Sequence, residues 1–268
     1  MKKIQFQMAG SSGKSFDPEE YELLRVQWYN ESTGNLTGYD CPKCKNRGAI
    51  AFKPAEGGIC YRECECVRTR ASVEKMERSG LQNVIKKYTF ERFQAKEDWQ
   101  KQLKDGAMAY AAAPSGWLLM CGQSGSGKTH LCTAICRKLL LDGMQVQYMP
   151  WRETIRQIKQ ADFDGKEALL TQLKTAQVLY IDDLFKTGKS PDGSCSPTAA
   201  DISLAFEILN HRYIGGRLTL ISTEWSPEAL IRLEEATAGR IMEMVADHTY
   251  YVEDNANRNY RLQRIHSL

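Results

Sequence analysis

Three groups of residues in this chain have the types and spacing that chemistry requires. The first is Gly122-Gln123-Ser124-Gly125-Ser126-Gly127-Lys128-Thr129, with His130 directly behind it. Its pattern, G-x-x-x-x-G-K-[ST], is that of a phosphate-binding loop. Glycines let the backbone wrap so tightly that amide N–H groups converge on an anion, and a helix opening near Gly127 turns its positive end to the same place. Lys128 is then expected at the β- and γ-phosphates of ATP, and the Thr129 hydroxyl on Mg2+. The second group, Val178-Leu-Tyr-Ile-Asp182-Asp183, ends an apolar run in two acids, at the strand end where parallel sheets place ligands. Asp182 is expected to reach Mg2+ through water, and Asp183 to act as base or to orient the attacking water. An aspartate there reaches one methylene less far than a glutamate, so slow turnover is expected.

The third group is a cysteine cluster. Of nine cysteines, Cys41, Cys44, Cys60, Cys64 and Cys66 crowd together, whereas Cys121, Cys132, Cys136 and Cys195 are scattered and read as small core or loop residues. Cys41-x-x-Cys44 and Cys64-x-Cys66 flank a segment of alternating apolar residues with Gly57-Gly58 inside it, the outline of a zinc-holding hairpin. Four thiolates would make a closed structural Zn2+ site, and the metal would supply folding energy that so short a segment lacks. Cys60 is left as a core or spare residue. The competing reading is free thiols or a redox pair.

Elements must hold these groups in place. Short apolar runs at 117–121, 146–149, 178–182, 218–222 and 249–252 alternate with amphipathic stretches such as Leu204–Tyr213. That alternation predicts an α/β fold, a parallel sheet with helices on both faces. Upstream, Asp17-Pro18-Glu19-Glu20 predicts a helix start leading into Tyr21–Asn30. Composition suggests residues 1–80 as a helix plus zinc module and 81–268 as the ATPase domain. Hydrophobic residues make up 42%, charged residues 26%, and the net charge is +3, too small by itself to argue for nucleic acid. No apolar run is long enough to span a bilayer. The Lys2-Lys3 pair has no apolar core behind it, so no secretory leader, no membrane contact and a cytoplasmic location are expected.

The phosphate loop, VLYIDDLF, LNHRYIGGRLTLISTEWSPEAL (209–230) and EEATAGRIMEM (234–244) together resemble the AAA+ ATPases of the DnaC/DnaI type, which load bacterial replicative helicases, and their phage relatives. The resemblance covers about residues 88–268, and the cysteine region is similar to the zinc-binding N-terminal part of the DnaI-like members. It implies an AAA+ P-loop fold, a DnaB-type helicase and single-stranded DNA as partners, and a homo-oligomer with ATP at its interface. The N-terminal region would grip the helicase. By the same resemblance Ser222 or Thr223 would be sensor 1, in an STE where an asparagine often stands. Arg240 would be an arginine finger reaching a neighbouring subunit's ATP, and Arg258 or Arg261 would be sensor 2. The family's DNA-facing region falls near Trp151, Arg152, Arg156, Lys159 and Phe163, although these residues equally suit an amphipathic helix with Trp151 and Ile155 turned inward. Other readings are a transposition helper of the IstB type, which shares the ATPase motifs, and a P-loop small-molecule kinase, against which stands the lack of a recognisable acceptor lid. A zinc-dependent nucleic-acid-binding module with a vestigial ATPase is the last.

Overall fold

The computed structural model describes residues 17–37, 40–76, 85, 87–187, 196–246, 248–255 and 258–260. The chain divides into two compact units between Val67 and Arg68, earlier than the boundary at residue 80 that composition suggests.

The first unit begins with α1 (Pro18–Glu31). The Asp17 carboxylate accepts hydrogen bonds from the N–H groups of Glu19 and Glu20, and Pro18 fills the first turn, where no N–H is needed. Strands β1 (Ala49–Phe52) and β2 (Cys60–Glu63) form an antiparallel hairpin. Gly57 and Gly58 turn it at φ values of 86° and 83°, a region that side chains with a Cβ avoid. The Asn30 amide clamps α1 to the hairpin, donating to the carbonyl of Ala51 and accepting from its N–H, both at 2.9 Å. Helix α2 (Cys66–Met76) starts at the last cysteine of the cluster, and from Arg68 onward it belongs to the second unit. Among the described residues, the one buried cluster of this unit is Cys41, Cys44, Cys64 and Cys66, with Ile50 packed on it.

The second unit contains α3 (Asp98–Ala112), β3 (Trp117–Gly122), α4 (Lys128–Leu141), β4 (Val146–Pro150), α5 (Trp151–Gln160) and α6 (Phe163–Thr175). It continues with β5 (Val178–Asp182), α7 (Ala199–Ile214), β6 (Leu218–Ser222), α8 (Pro227–Leu233), α9 (Glu235–Val245) and β7 (Thr249–Val252). The five strands are the five apolar runs, all parallel, in the order β4-β5-β6-β3-β7. The strand period of two sends alternate residues to opposite faces. Trp117, Leu119 and Cys121 join Leu179, Ile181 and Ile221 in a core under α5 to α9, whereas Leu118, Met120, Tyr180 and Leu220 face α3 and α4. Both faces are covered, and β3 and β5, inside the sheet, are buried along their whole length for that reason.

One buried cation belongs to this architecture. Arg212 on α7 is completely buried, and its guanidinium donates to the carbonyls of Leu173, Lys174, Ala176 and Leu218 and to the Thr219 hydroxyl. Three of these carbonyls lie at the end of α6, where no intrahelical partner exists. Arg212 therefore caps α6 and ties it to β6.

Candidate functional site

Order and register bring the C-terminal ends of β3, β5 and β6 together. Met120 pairs with Ser222, and Ile181 with Ile221. The loop after β3 therefore faces Asp182 at the end of β5 and Ser222 at the end of β6. Gly122, Gly125 and Gly127 have φ values of 96°, 74° and 97°. A Cβ on Gly122 would lie 2.1 Å from the Val252 carbonyl oxygen, and one on Gly127 would lie 2.7 Å from the Phe93 ring. Only glycine suits both the dihedrals and the space. The Ser126 hydroxyl donates to the Gln123 carbonyl, and the Gln123 side chain accepts from the N–H of Asn255. The Gly125 carbonyl accepts from the N–H of Tyr260, so the chain after β7 is pinned to the loop.

Lys128 is buried, and its ammonium donates to the carbonyls of Gly122 and Gln123, each at 2.7 Å. Burial lowers its pKa, against the pull of Glu224 and Asp183. The Thr129 hydroxyl donates to Oδ1 of Asp182 at 3.0 Å. Asp182 is the hub of the site, because it also accepts from Tyr148, Tyr180 and Ser222. Asp183, at φ 58°, pairs with Lys186 at 2.9 Å, and Lys186 also reaches Glu224 at 3.0 Å. Burial raises the pKa of Asp183, with Lys186 partly opposing it. Burial also works to raise that of Glu224, but hydrogen bonding to Ser124 and the charge of Lys186 bring it down. Lys186, Glu224, Gly122 and Trp225 line one cavity of about 440 Å³.

The remaining expected residues divide between this site and other parts of the fold. His130 turns its ring onto Tyr88, stacked at 4.6 Å, and bonds the Thr89 carbonyl at 2.8 Å, so it meets residues 88–93 instead of the phosphate loop. Of the two sensor 1 candidates, the Ser222 hydroxyl is engaged with Asp182 and the Asp183 N–H, and the Thr223 hydroxyl with the Leu184 carbonyl and the Trp225 N–H. Arg240 lies on α9, bonded to Asn210 and the Ala236 carbonyl and set over the Phe206 ring. The guanidinium of Arg258 lies over Trp99 and 3.6 Å from Glu253, and Arg261 is outside the described residues. Trp151 is buried against Phe185, so it cannot stack on a base, and Lys159 pairs with Asp201. The amphipathic reading of α5 holds.

Sequence reasoning missed Tyr148, Tyr180, Lys186 and Glu224. The tyrosines sit inside apolar runs and read as core. The one signal for Glu224 was its place in STE, where an asparagine often stands.

In the first unit, the four thiol sulfurs all lie within 4.8 Å of one another and are buried. Cys41 and Cys64 sulfurs are 3.8 Å apart and those of Cys44 and Cys66 3.4 Å. A tetrahedral zinc with Zn–S bonds of about 2.3 Å requires sulfur separations of about 3.8 Å, so the cluster fits the ion. Burial raises the Cys64 thiol and works to raise that of Cys44, but the Gly48 N–H and neighbouring thiols bring Cys44 down to about 6. The Asn46 side chain accepts from the Cys41 N–H and holds the knuckle at a φ of 67°. Cys60 is exposed on β2, away from the cluster.

A parallel sheet covered on both faces, with a glycine loop after β3 facing an acid at the end of β5, defines a P-loop ATPase of the AAA+ class. Residues 57–265 match the family described as IstB-like ATP binding protein, and the chain belongs to that family. It is 31% identical to the phage-like element PBSX protein XkdC of Bacillus subtilis, over 85% of this chain and 88% of that protein. It is 25% identical to the replicative helicase loader DnaC of Escherichia coli, over 50% of this chain and 58% of that one. A crystal structure of the DnaC helicase loader superposes with a TM-score of 0.53 at 20% identity, covering 62% of this chain and 96% of that structure. No helix among the described residues is long and apolar enough to cross a membrane.

Proposed function

We propose that this ATPase loads or remodels a DnaB-type replicative helicase, delivering it onto single-stranded DNA in the cytoplasm. The observation that carries the reading is that one chain joins an ATPase site to a cysteine-built unit whose α1 leaves Leu23, Leu24 and Trp28 exposed, Trp28 by 67%. A helix that presents exposed apolar and aromatic side chains suits a protein groove. Kinship with the E. coli loader supports the same reading.

In the ATPase unit, Lys128 takes the β- and γ-phosphates, Thr129 and Asp182 hold Mg2+, and Asp183 orients the attacking water. Mg2+ supplies charge neutralisation of the phosphates. Cys41, Cys44, Cys64 and Cys66 hold a structural Zn2+. Arg240, which has no role at its own chain's phosphate loop, reaches the ATP of a second copy, so that nucleotide state sets subunit contacts. The exposed Arg152 and Arg156 on α5 supply charge for single-stranded DNA. The family name equally admits a helper ATPase of transposition, which would share the whole ATPase unit. Co-purification with a replicative helicase, with and without ATP, separates the two. The loader requires binding by the full chain and its loss when residues 1–67 are removed; no binding by the full chain sinks it.

A further inference from the structure

Asp182 is more heavily solvated by protein than a magnesium-organising carboxylate needs to be. Its Oδ1 accepts three hydroxyl donors, Thr129 at 3.0 Å, Tyr180 at 2.6 Å and Ser222 at 2.5 Å. Its Oδ2 accepts one, Tyr148 at 2.9 Å. The Ser222 hydroxyl also accepts from the Asp183 N–H at 2.9 Å, so its single proton is committed to Asp182. A carboxylate oxygen offers about two lone-pair sites. Oδ1 is therefore saturated, and the free acceptor capacity of Asp182 lies on Oδ2, beside Tyr148.

The two tyrosines are placed differently. Tyr180 stands two residues before Asp182 on β5, so the strand period aims both at one face, and it is completely buried. Tyr148 is its register partner on β4, half-buried, with the rings 5.4 Å apart. A phenol is protonated at neutral pH, so both act as donors to Asp182.

We infer that Tyr148 and Tyr180 are positioning residues of opposite effect on magnesium: Tyr180 locks the plane of the Asp182 carboxylate, and Tyr148 occupies the oxygen that a magnesium-bound water would use. The inference rests on the reading of Thr129 and Asp182 as the magnesium-holding pair. A locked carboxylate needs no reorganisation when the ion arrives, so Tyr180 favours binding. A hydroxyl already on Oδ2 must yield or share, so Tyr148 opposes it. Tyr148 is the partner able to yield, because it is half-buried and reaches Asp182 from a different strand.

The test uses the full chain and a fluorescent ATP analogue, titrated first in EDTA and then with Mg2+ at fixed nucleotide. Tyr148→Phe and Tyr180→Phe each remove one oxygen and little volume. Both are expected to bind the analogue in EDTA within about twofold of wild type. The Mg2+ midpoint is expected to fall about fivefold in Tyr148→Phe and to rise about fivefold in Tyr180→Phe, the scale of one net hydrogen bond. A purely structural role would not move the two midpoints in opposite directions. A Tyr148→Phe midpoint that is unchanged or raised overturns the inference, and that variant carries the test alone if Tyr180→Phe does not fold. A wild type that binds the analogue equally well with and without Mg2+ would instead remove the magnesium assignment of Thr129 and Asp182, and this inference with it.

Discussion

The two units of the chain solve the problem of stability by different means. The unit from residue 68 onward carries two apolar cores, one on each face of a five-stranded sheet, and its acids and glycines are added at the strand ends. The first unit has no such reserve. Its buried cluster among the described residues consists of four cysteines, and no residue of its helix α1 is fully buried. In one unit a site is grafted on a finished fold; in the other the site is the fold. Where burial of apolar area is large, function can occupy polar positions at modest cost, and where it is small, an ion must replace it.

The largest effect that could break this contrast is metal removal. A strong zinc chelator is expected to unfold residues 17–67, since structural zinc contributes on the order of 10 kcal/mol or more in small domains. The melting transition of the ATPase unit should not move. Hydrogen exchange resolved along the chain reads both halves at once, and persistent protection of Ala49–Glu63 in chelator would show that the hairpin stands without metal. Cys44→Ser should reproduce the effect of the chelator.

The converse test concerns Arg212, the one wholly buried guanidinium of the described residues. Arg212→Met keeps much of the volume but leaves the carbonyls of Leu173, Lys174, Ala176 and Leu218 without their donor. A loss of about 3–5 kcal/mol in urea unfolding is expected, confined to the ATPase unit. Zinc content should stay at its wild-type value. A stability change below about 1 kcal/mol would mean that water or a rearranged α6 replaces those bonds.

Next in size is a change in catalysis without a change in fold. Lys128→Ala is expected to lower ATP turnover by about 10²–10³, the usual scale for removing a group aimed at developing charge. The same substitution should leave far-UV circular dichroism as in wild type, because alanine suits a helix start and the ammonium is held by loop carbonyls. Retention of wild-type turnover would remove Lys128 from the site.

The same contrast explains what could be read before any coordinates. All five strands were legible because a sheet covered on both faces needs mainly apolar strands, and 117–121 through 249–252 are mainly apolar runs. The grouping of Cys41, Cys44, Cys64 and Cys66 was legible because ligand spacing is a local property, whereas the exposed position of Cys60 on β2 is settled by the fold. What stayed hidden depends on register between distant strands. Tyr148 and Tyr180 look like core tyrosines until β4 and β5 are paired, at which point both hydroxyls meet Asp182. Arg212 was equally silent, since most arginines are solvated and nothing local marks one that caps another helix. Trp151 was legible only as a choice between a DNA-facing residue and an inward-packed one, and burial against Phe185 decides for the second.

The smallest structural effect, and the sharpest test of what the first unit is for, is at Trp28. Its side chain is 67% exposed on α1, touched by the Arg47 guanidinium at 5.6 Å, so Trp28→Ala should alter neither zinc content nor ATP turnover. Exposed aromatic anchors are the residues most often found to carry binding energy at interfaces. If α1 docks on a helicase, the substitution should weaken co-purification about tenfold or more. Leu24→Ala, about one turn before it on the same face of α1, should act in the same direction but by less, since it removes less surface. Full retention of binding in the Trp28→Ala, Leu24→Ala double variant would move the docking surface off α1 altogether. The exposed helix of the cysteine unit would then have some other partner.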